Sequence, residues 1–428
     1  MHRRPEPESR ANAPGIPHSD VWYTGIRTCR ARIEIPRPLG EGGGGPRPWC
    51  LLSHLFGCGQ GPCWSEPGDI HMPVTRRGFI RNLLISGSPL LLNACDRGIF
   101  GSTSGKRDVG VLPKPSYFNL EEAGLFQQRI DQAFELMESC TLCPRKCGAN
   151  RRSREIGFCR GTDRVKVHSY SPHFGEEHPL SGRRGSGTIF FSHCNLRCVF
   201  CQNWPIAHEG HGRKISDGAL ADNMLYLQRI GCHNINVVTP THFMPNILNA
   251  TRQALRKGLH LPLCYNSSGY ESAEVIRLLD GIVDIYLPDM KYMDGDEADR
   301  YAVLGAKDYP KRAAESILEM HRQVGDLVVD SGGIAVRGLM IRHLVMPNRI
   351  AGTREFVRWV AEFLSRDTYV NIMSQYRVEH EAFNHPRIAR AITPEEFLEA
   401  VQWAEEAGLR NLDPRSLLQR DMFQRRLR

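Results

Sequence analysis

From about residue 187 onward, short apolar β-rich runs alternate with longer helical patterns, and few architectures accept that order. The runs are "GTIFFSH", "NINVVTP", "LPLCYNS", "IVDIYLPDMK", "GLMIRHLVMP" and "TYVNIMSQYR". Between them stand "GALADNMLYLQRIG", "ILNATRQALRKGL", "SAEVIRLLDG", "RAAESILEMHRQVG" and "TREFVRWVAEFLS". Continuous hydrophobicity within the runs predicts strands buried on both faces, and strand-then-helix order predicts a parallel sheet covered by helices. About six units fall short of the eight that close a full barrel, so the expected fold is α/β, a partial (β/α)6 barrel. Sites in such folds lie at the carboxyl ends of the strands. Polar residues gather there: a cysteine loop after the first run, Thr239 to Thr241 after the second, Asn266 at the end of the third. Asp289 and Lys291 follow the fourth, His343 lies on the fifth and Gln375 ends the sixth.

The cysteine loop, "FFSHCNLRCVFCQNW", sets Cys194, Cys198 and Cys201 at spacing C-x3-C-x2-C with no fourth cysteine beside them. A closed zinc site takes four ligands and a disulfide framework takes an even count. Three thiolates suit a [4Fe–4S] cluster held at three irons, whose fourth iron is open to a chelating amino and carboxylate pair. Upstream, "CTLCPRKCGANRRSREIGFC" supplies Cys140, Cys143, Cys147 and Cys159, a four-thiol set that predicts a closed site for zinc or a second iron–sulfur cluster. This group is expected to lie outside the barrel and to bind its metal independently. Of fourteen cysteines, seven fall in these two groups, a distribution of metal chemistry rather than of secreted disulfides. Cys232 and Cys264 sit in apolar runs and read as small core residues.

Phe200 directly before Cys201, the position of the loop after a first strand, and the strand–helix series that follows together resemble the radical S-adenosylmethionine superfamily. "CNLRCVFCQN" is similar to the pyruvate formate-lyase activating enzymes, and "GSGTIFFS", "HNINVVTPTH", "YNSSGY", "DIYLPDMKY", "RHLVMP" and "QYR" to an activating-enzyme-related branch. The resemblance covers roughly residues 135 to 410. It implies reductive cleavage of S-adenosylmethionine to a 5′-deoxyadenosyl radical for hydrogen abstraction, with glycyl-radical enzyme activation as its narrowest form. Radical modification of another protein or a small molecule, and a non-catalytic iron–sulfur electron carrier, stay open beside it. It further implies Cys194, Cys198 and Cys201 as cluster ligands, Phe200 against the adenine, Asn266 near the ribose or carboxylate, and Asp289, Lys291 and His343 in the cofactor site. Thr239-Pro240-Thr241 stands where relatives carry Gly-Gly-Glu for the methionyl amine, and His193 where a glycine precedes the first ligand. A reductant such as flavodoxin or ferredoxin, and a protein substrate, are the implied partners. A plain Asp289–Lys291 salt bridge, and ordinary hydrogen bonding by His343 and Gln375, are the simpler readings. Glu176, Glu177, His208 and His242 read as surface or loop residues.

The head of the chain is different. Residues 1–71 are rich in Gly and Pro without sustained period, and read as a disordered or wrongly assigned upstream extension, with translation starting at Met72. From there "TRRGFI" resembles a twin-arginine export motif and "LNAC" a lipoprotein cleavage site, which makes residues 72–110 a signal and linker. Export and membrane anchoring conflict with cytosolic cofactor supply, so location stays open between the two. Residues 111–185 form a helical segment with the four-cysteine group, 186–380 the barrel, and 381–428 a C-terminal helical segment. Residues 1–100 hold 12 Lys+Arg against 8 Asp+Glu, leaving only 43 against 39 for the remainder, too small a surplus for nucleic-acid binding.

Overall fold

The computed structural model describes residues 114–302 and 305–427. The expected extension, export motif and cleavage site lie outside them. Among the described residues nine strands form one open sheet: β1 (Val165–His173), β2 (Ser186–Phe191), β3 (Arg213–Ile215), β4 (Ile235–Val238), β5 (Leu263–Ser267), β6 (Ile285–Pro288), β7 (Val328–Val329), β8 (Ala335–Leu344) and β9 (Tyr369–Met373). The six apolar runs are β2, β4, β5, β6, β8 and β9. They pair in that order and all in parallel. The sheet does not close: β1 and then β3 continue it antiparallel beyond β2, and β7 pairs antiparallel with the start of β8. β1 thus joins the sheet from ahead of the expected barrel boundary at residue 186.

The two faces of the sheet differ. Side chains of Ile189, Ile235, Val237, Tyr265, Tyr286, Leu339, Ile341, Val370 and Ile372 share one large core with the helices. Alternate residues face inward, where Cys264, Ile285, Leu287, Ala335, Met340 and Tyr369 form a smaller core with Leu180. Register sets polar groups side by side on this inner face. Thr188 pairs with Asn236 and Asn236 with Cys264; Asp289 bridges to Arg342, and Arg342 pairs with Asn371.

The helices start and stop where local chemistry requires. Ser216 caps the helix Asp217–Arg229 by accepting from the Ala219 N–H, and Thr393 with Glu396 forms a reciprocal cap on Pro394–Glu406. Gly325, at φ +71°, ends Tyr309–Val324. The helix Ser116–Glu122 is tied to helix Met244–Arg256 through Glu121, which pairs with Arg252 at 2.7 Å and Arg256 at 2.9 Å, and Phe126–Glu135 through Gln127, which accepts from Arg252. Among the described residues no helix is long and apolar enough to cross a membrane.

Candidate functional site

The loop between β2 and the short helix Trp204–Ala207 carries the three cysteines at the carboxyl end of the sheet. It begins at His193, whose φ of +75° lies in the left-handed region, and turns again at Arg197, φ +55°. A residue without Cβ adopts such angles most readily, so a histidine there is held against a backbone preference. Cys198 is buried and Cys194 and Cys201 are partly exposed. Burial, reinforced by the neighbouring thiols, pushes Cys198 and Cys201 up to about 12. Lys291 acts on both in the opposite direction.

That lysine comes from the loop after β6, as anticipated, and its Nζ donates to Asp289 at 2.7 Å. Burial opposes its charge, but Asp289 and the thiols of Cys198 and Cys201 hold its pKa above the ordinary lysine value. Next to it, Tyr292 is buried against Cys198, and its hydroxyl acts on that thiol as a donor, lowering it against burial. Phe200 is buried edge-on to Tyr292, ring centroids 6.3 Å apart, and leans on Tyr376 at 5.7 Å. Asn266 is buried near the carboxyl end of β5, and its carbonyl accepts from the Thr239 N–H at 2.9 Å. Gln375 takes the Gln202 amide on its backbone carbonyl at 2.8 Å. Thr239, at φ +59°, holds another angle that favours glycine. Thr241 is buried and donates to the Glu271 carboxylate at 2.5 Å. Burial raises that carboxyl to about 8, against the lowering effect of Thr241, Ser267 and Tyr265.

His343 stands elsewhere. On β8 it shares a face with Leu339 and Ile341, towards the helices, where its ring stacks on Phe356 at 4.3 Å. Its Nδ1 lies 2.7 Å from the Met290 carbonyl and its Nε2 2.9 Å from the Thr353 hydroxyl. Both nitrogens are committed, and the expected cofactor contact is corrected to a packed, hydrogen-bonded histidine. The inward residue is its neighbour Arg342.

Arg342 exposes a larger omission. Its guanidinium takes Glu177 at 2.6 and 2.8 Å and also reaches Glu176. Asn371 adds 2.6 Å to Glu177, and Arg415 approaches the same carboxylate at 3.3 Å. The acidic pair expected on a surface loop is buried against the inner face of the sheet, 6% and 0% exposed, because the segment after β1 turns inward. Glu176 is held down at about 2: burial opposes this, and Arg342 and His173 overcome it. An arginine within an apolar parallel strand, and two adjacent glutamates ahead of another, were the available signals. His208 and His242 are buried too. The Nε2 of His208 lies 3.0 Å from the Cys198 carbonyl, and that of His242 lies 2.8 Å from the Ser192 carbonyl. Each ring ties down one carbonyl in or beside the cysteine loop.

The four-cysteine segment packs directly on that loop, outside the sheet. Cys140, Cys143 and Cys159 are buried and Cys147 is exposed. Gly157 lets two of the sulfurs approach: a Cβ there would lie 3.2 Å from the Cys147 Sγ and 3.8 Å from that of Cys159. Burial, then the neighbouring Cys159, raises Cys143; burial also raises Cys159, against Arg151. Arg151 is fully buried among them, with Nη1 3.9 Å from the Cys140 Sγ. Among the described residues no three His, Cys, Asp or Glu side chains converge as a ready site for one ion. A cubane takes one thiolate per iron, so its ligands stand apart at its corners.

A family model described as the radical SAM superfamily matches residues 188–336, the span from β2 into β8. The protein named uncharacterized protein MJ0674 of Methanocaldococcus jannaschii is 32% identical over 320 residues, covering 70% of this chain and 86% of that one. The chain belongs to the radical SAM superfamily. Its members are enzymes, and membership implies a [4Fe–4S] cluster and S-adenosylmethionine. Among solved structures, native anSMEcpe with bound AdoMet is 10% identical, with a TM-score of 0.35 over 52% of this chain and 61% of that one, less than two thirds of its length. A radical SAM methyltransferase from Sphaerobacter thermophilus is 14% identical, with a TM-score of 0.35 over 69% of this chain and 91% of that one.

Proposed function

We propose that this chain cleaves S-adenosylmethionine reductively at a [4Fe–4S] cluster held by Cys194, Cys198 and Cys201, to abstract hydrogen from a partner protein or small molecule. Activation of a glycyl-radical enzyme, as in the activating-enzyme branch, is its narrowest form. One observation carries the reading: the three-thiol loop sits at the carboxyl end of the parallel sheet, against the Asp289–Lys291 pair. Such a cluster, held by these three thiolates, would supply the one electron that splits S-adenosylmethionine into methionine and a hydrogen-abstracting 5′-deoxyadenosyl radical.

The residues present fit that pair of cofactors. Lys291 stays charged beside the thiols and favours their deprotonated, ligating form. Asp289 and Asn266 offer acceptors at neighbouring strand ends, and the buried hydroxyl of Tyr292 offers a donor to Cys198. Phe200 closes the loop with an aromatic wall, which excludes water from the reacting space. Thr239 and Thr241 occupy the segment that binds the methionyl amine in relatives. The four-cysteine group would hold zinc or a second cluster. Lys166, Arg160, Arg197 and Lys214 surround His193 closely enough to help burial push its imidazole down to about 4. That cationic surround suits an acidic one-electron donor of the flavodoxin or ferredoxin kind.

The test is anaerobic reconstitution with iron and sulfide, then dithionite and S-adenosylmethionine, with 5′-deoxyadenosine measured. A chain that assembles the cluster yet releases no 5′-deoxyadenosine overturns the enzyme reading. The electron-carrier alternative then stands, favoured by the absent Gly-Gly-Glu. With an acidic protein donor in place of dithionite, the initial rate should fall as salt is raised.

A further inference from the structure

We propose that the four-cysteine segment positions the three-cysteine loop through two arginines set beside its own cysteines, so that metal bound by the first group is a condition for an ordered cluster on the second. This rests on the reading above, in which both groups take metal.

Arg145 follows Cys143 by two residues. Its Nε donates to the Asn195 carbonyl at 3.1 Å, between Cys194 and Cys198, and its Nη1 to the Gly305 carbonyl at 2.8 Å. The guanidinium is flanked by the rings of Phe158 at 4.1 Å and Tyr270 at 5.3 Å. Phe158 directly precedes Cys159. Stacking and hydrogen bonding together leave the group little freedom.

Arg160 directly follows Cys159, in a left-handed turn at φ +63°. Its Nη1 donates to the His208 carbonyl at 3.1 Å. The ring of that histidine lies 3.0 Å from the Cys198 carbonyl. The next residue, Gly161, abuts His242, where a Cβ would lie 3.1 Å from the ring. That ring in turn holds the Ser192 carbonyl at 2.8 Å. Three carbonyls along the loop, at Ser192, Asn195 and Cys198, are therefore held directly from the four-cysteine segment or through one histidine that it touches.

The loop needs such restraint, because two of its residues adopt left-handed angles that side chains disfavour. The segment cannot supply it as bare chain. Its regular structure is one short 3-10 turn, Arg151–Ser153, and Lys146, Gly148, Arg154 and Arg160 all have positive φ. Four thiolates at the corners of one cluster would fix Cys143 and Cys159, and with them the roots of both arginines.

The experiment uses the full chain, anaerobically reconstituted, as wild type, Arg145→Met, Arg145→Lys, Arg160→Met and Cys143→Ala. Iron, zinc and sulfide are counted, the reduced cluster is examined by electron paramagnetic resonance with and without S-adenosylmethionine, and hydrogen exchange is followed at residues 192–202. Exchange in β4 and β5 serves as the folding control. Arg145→Met and Arg160→Met should keep the metal of the four-cysteine segment. They should also speed exchange at 192–202 by about tenfold, as expected for one lost hydrogen bond, and blunt the spectral response to the cofactor. Arg145→Lys should recover part of both. Cys143→Ala should lose the segment's metal and show the same loosened loop. If Cys143→Ala keeps wild-type exchange and spectrum at the three-cysteine loop, the coupling is wrong. Wild-type iron sufficient for the barrel cluster alone, with no zinc, also overturns it. Failure of the parent reading looks different: the wild type would then give no cluster spectrum, and the inference falls with it.

Discussion

Replacing Arg342 with Met would leave two carboxylates buried on the inner face of the sheet without their main cation. Glu176 and Glu177 are 6% and 0% exposed, and Arg342 spans both. The Glu176 carboxyl sits at about 2 rather than 4.5; burial opposes this, and Arg342 is the strongest opposing influence. At about 1.4 kcal/mol per pKa unit, that difference is worth roughly 3 kcal/mol of stability. Removing one partner of a buried pair separately suggests about 3–5 kcal/mol. In the wild type this contribution is complete above the unfolded carboxylate value of 4.5 and fades as pH falls towards about 2. In the variant burial dominates, although His173 and Arg415 remain nearby. The folded carboxyls then bind protons more tightly than the unfolded ones, and what they contribute is lost as pH rises. The gap between wild type and variant should therefore widen from mildly acidic to neutral pH. Urea unfolding of the full chain, followed by circular dichroism across that range, measures it through the shift in midpoint at unchanged slope. A loss under about 1 kcal/mol at neutral pH, well below the buried-pair range, refutes the reasoning, as does a gap that narrows as pH rises. Arg342→Lys should recover part of the loss, since it keeps the charge but not the two-pronged geometry.

Asp289→Asn should weaken S-adenosylmethionine binding with iron content near normal; wild-type binding and cleavage would reduce the pair with Lys291 to a plain salt bridge. Cys201→Ala removes one of three thiolates, so the barrel cluster and 5′-deoxyadenosine formation should vanish while the four-cysteine segment keeps its metal, as metal analysis would show. Gly269→Ala would place a Cβ 2.1 Å from the Asp289 carbonyl, at a φ of +77°. It should cost about 2–4 kcal/mol and loosen cofactor binding, and a urea midpoint matching wild type would contradict the close approach.

Much of the architecture was legible along the chain. Each of the six apolar runs became a parallel strand, in the expected order, because burial on both faces leaves a continuous signature in a few consecutive residues. The cysteine loop, Asp289 with Lys291, and Thr239 to Thr241 all lie at the expected strand ends. What misled was orientation. On β8 the sequence offers Arg342 and His343 side by side, and a strand sends neighbours to opposite faces. The apolar run alone does not say which of them turns inward.

Spacing within the chain by itself determined the two cysteine groups and the strand–helix series. Each depends on residues only a few positions apart. Only the tertiary structure decided that Glu177 meets Arg342, 165 positions away, that Arg145 holds Asn195 across 50, and that Thr241 reaches Glu271 across 30. Those pairings depend on sheet register and on which face of a strand turns inward. Both are settled by packing between distant segments, where the cost of an unpaired buried charge selects one arrangement over its alternatives.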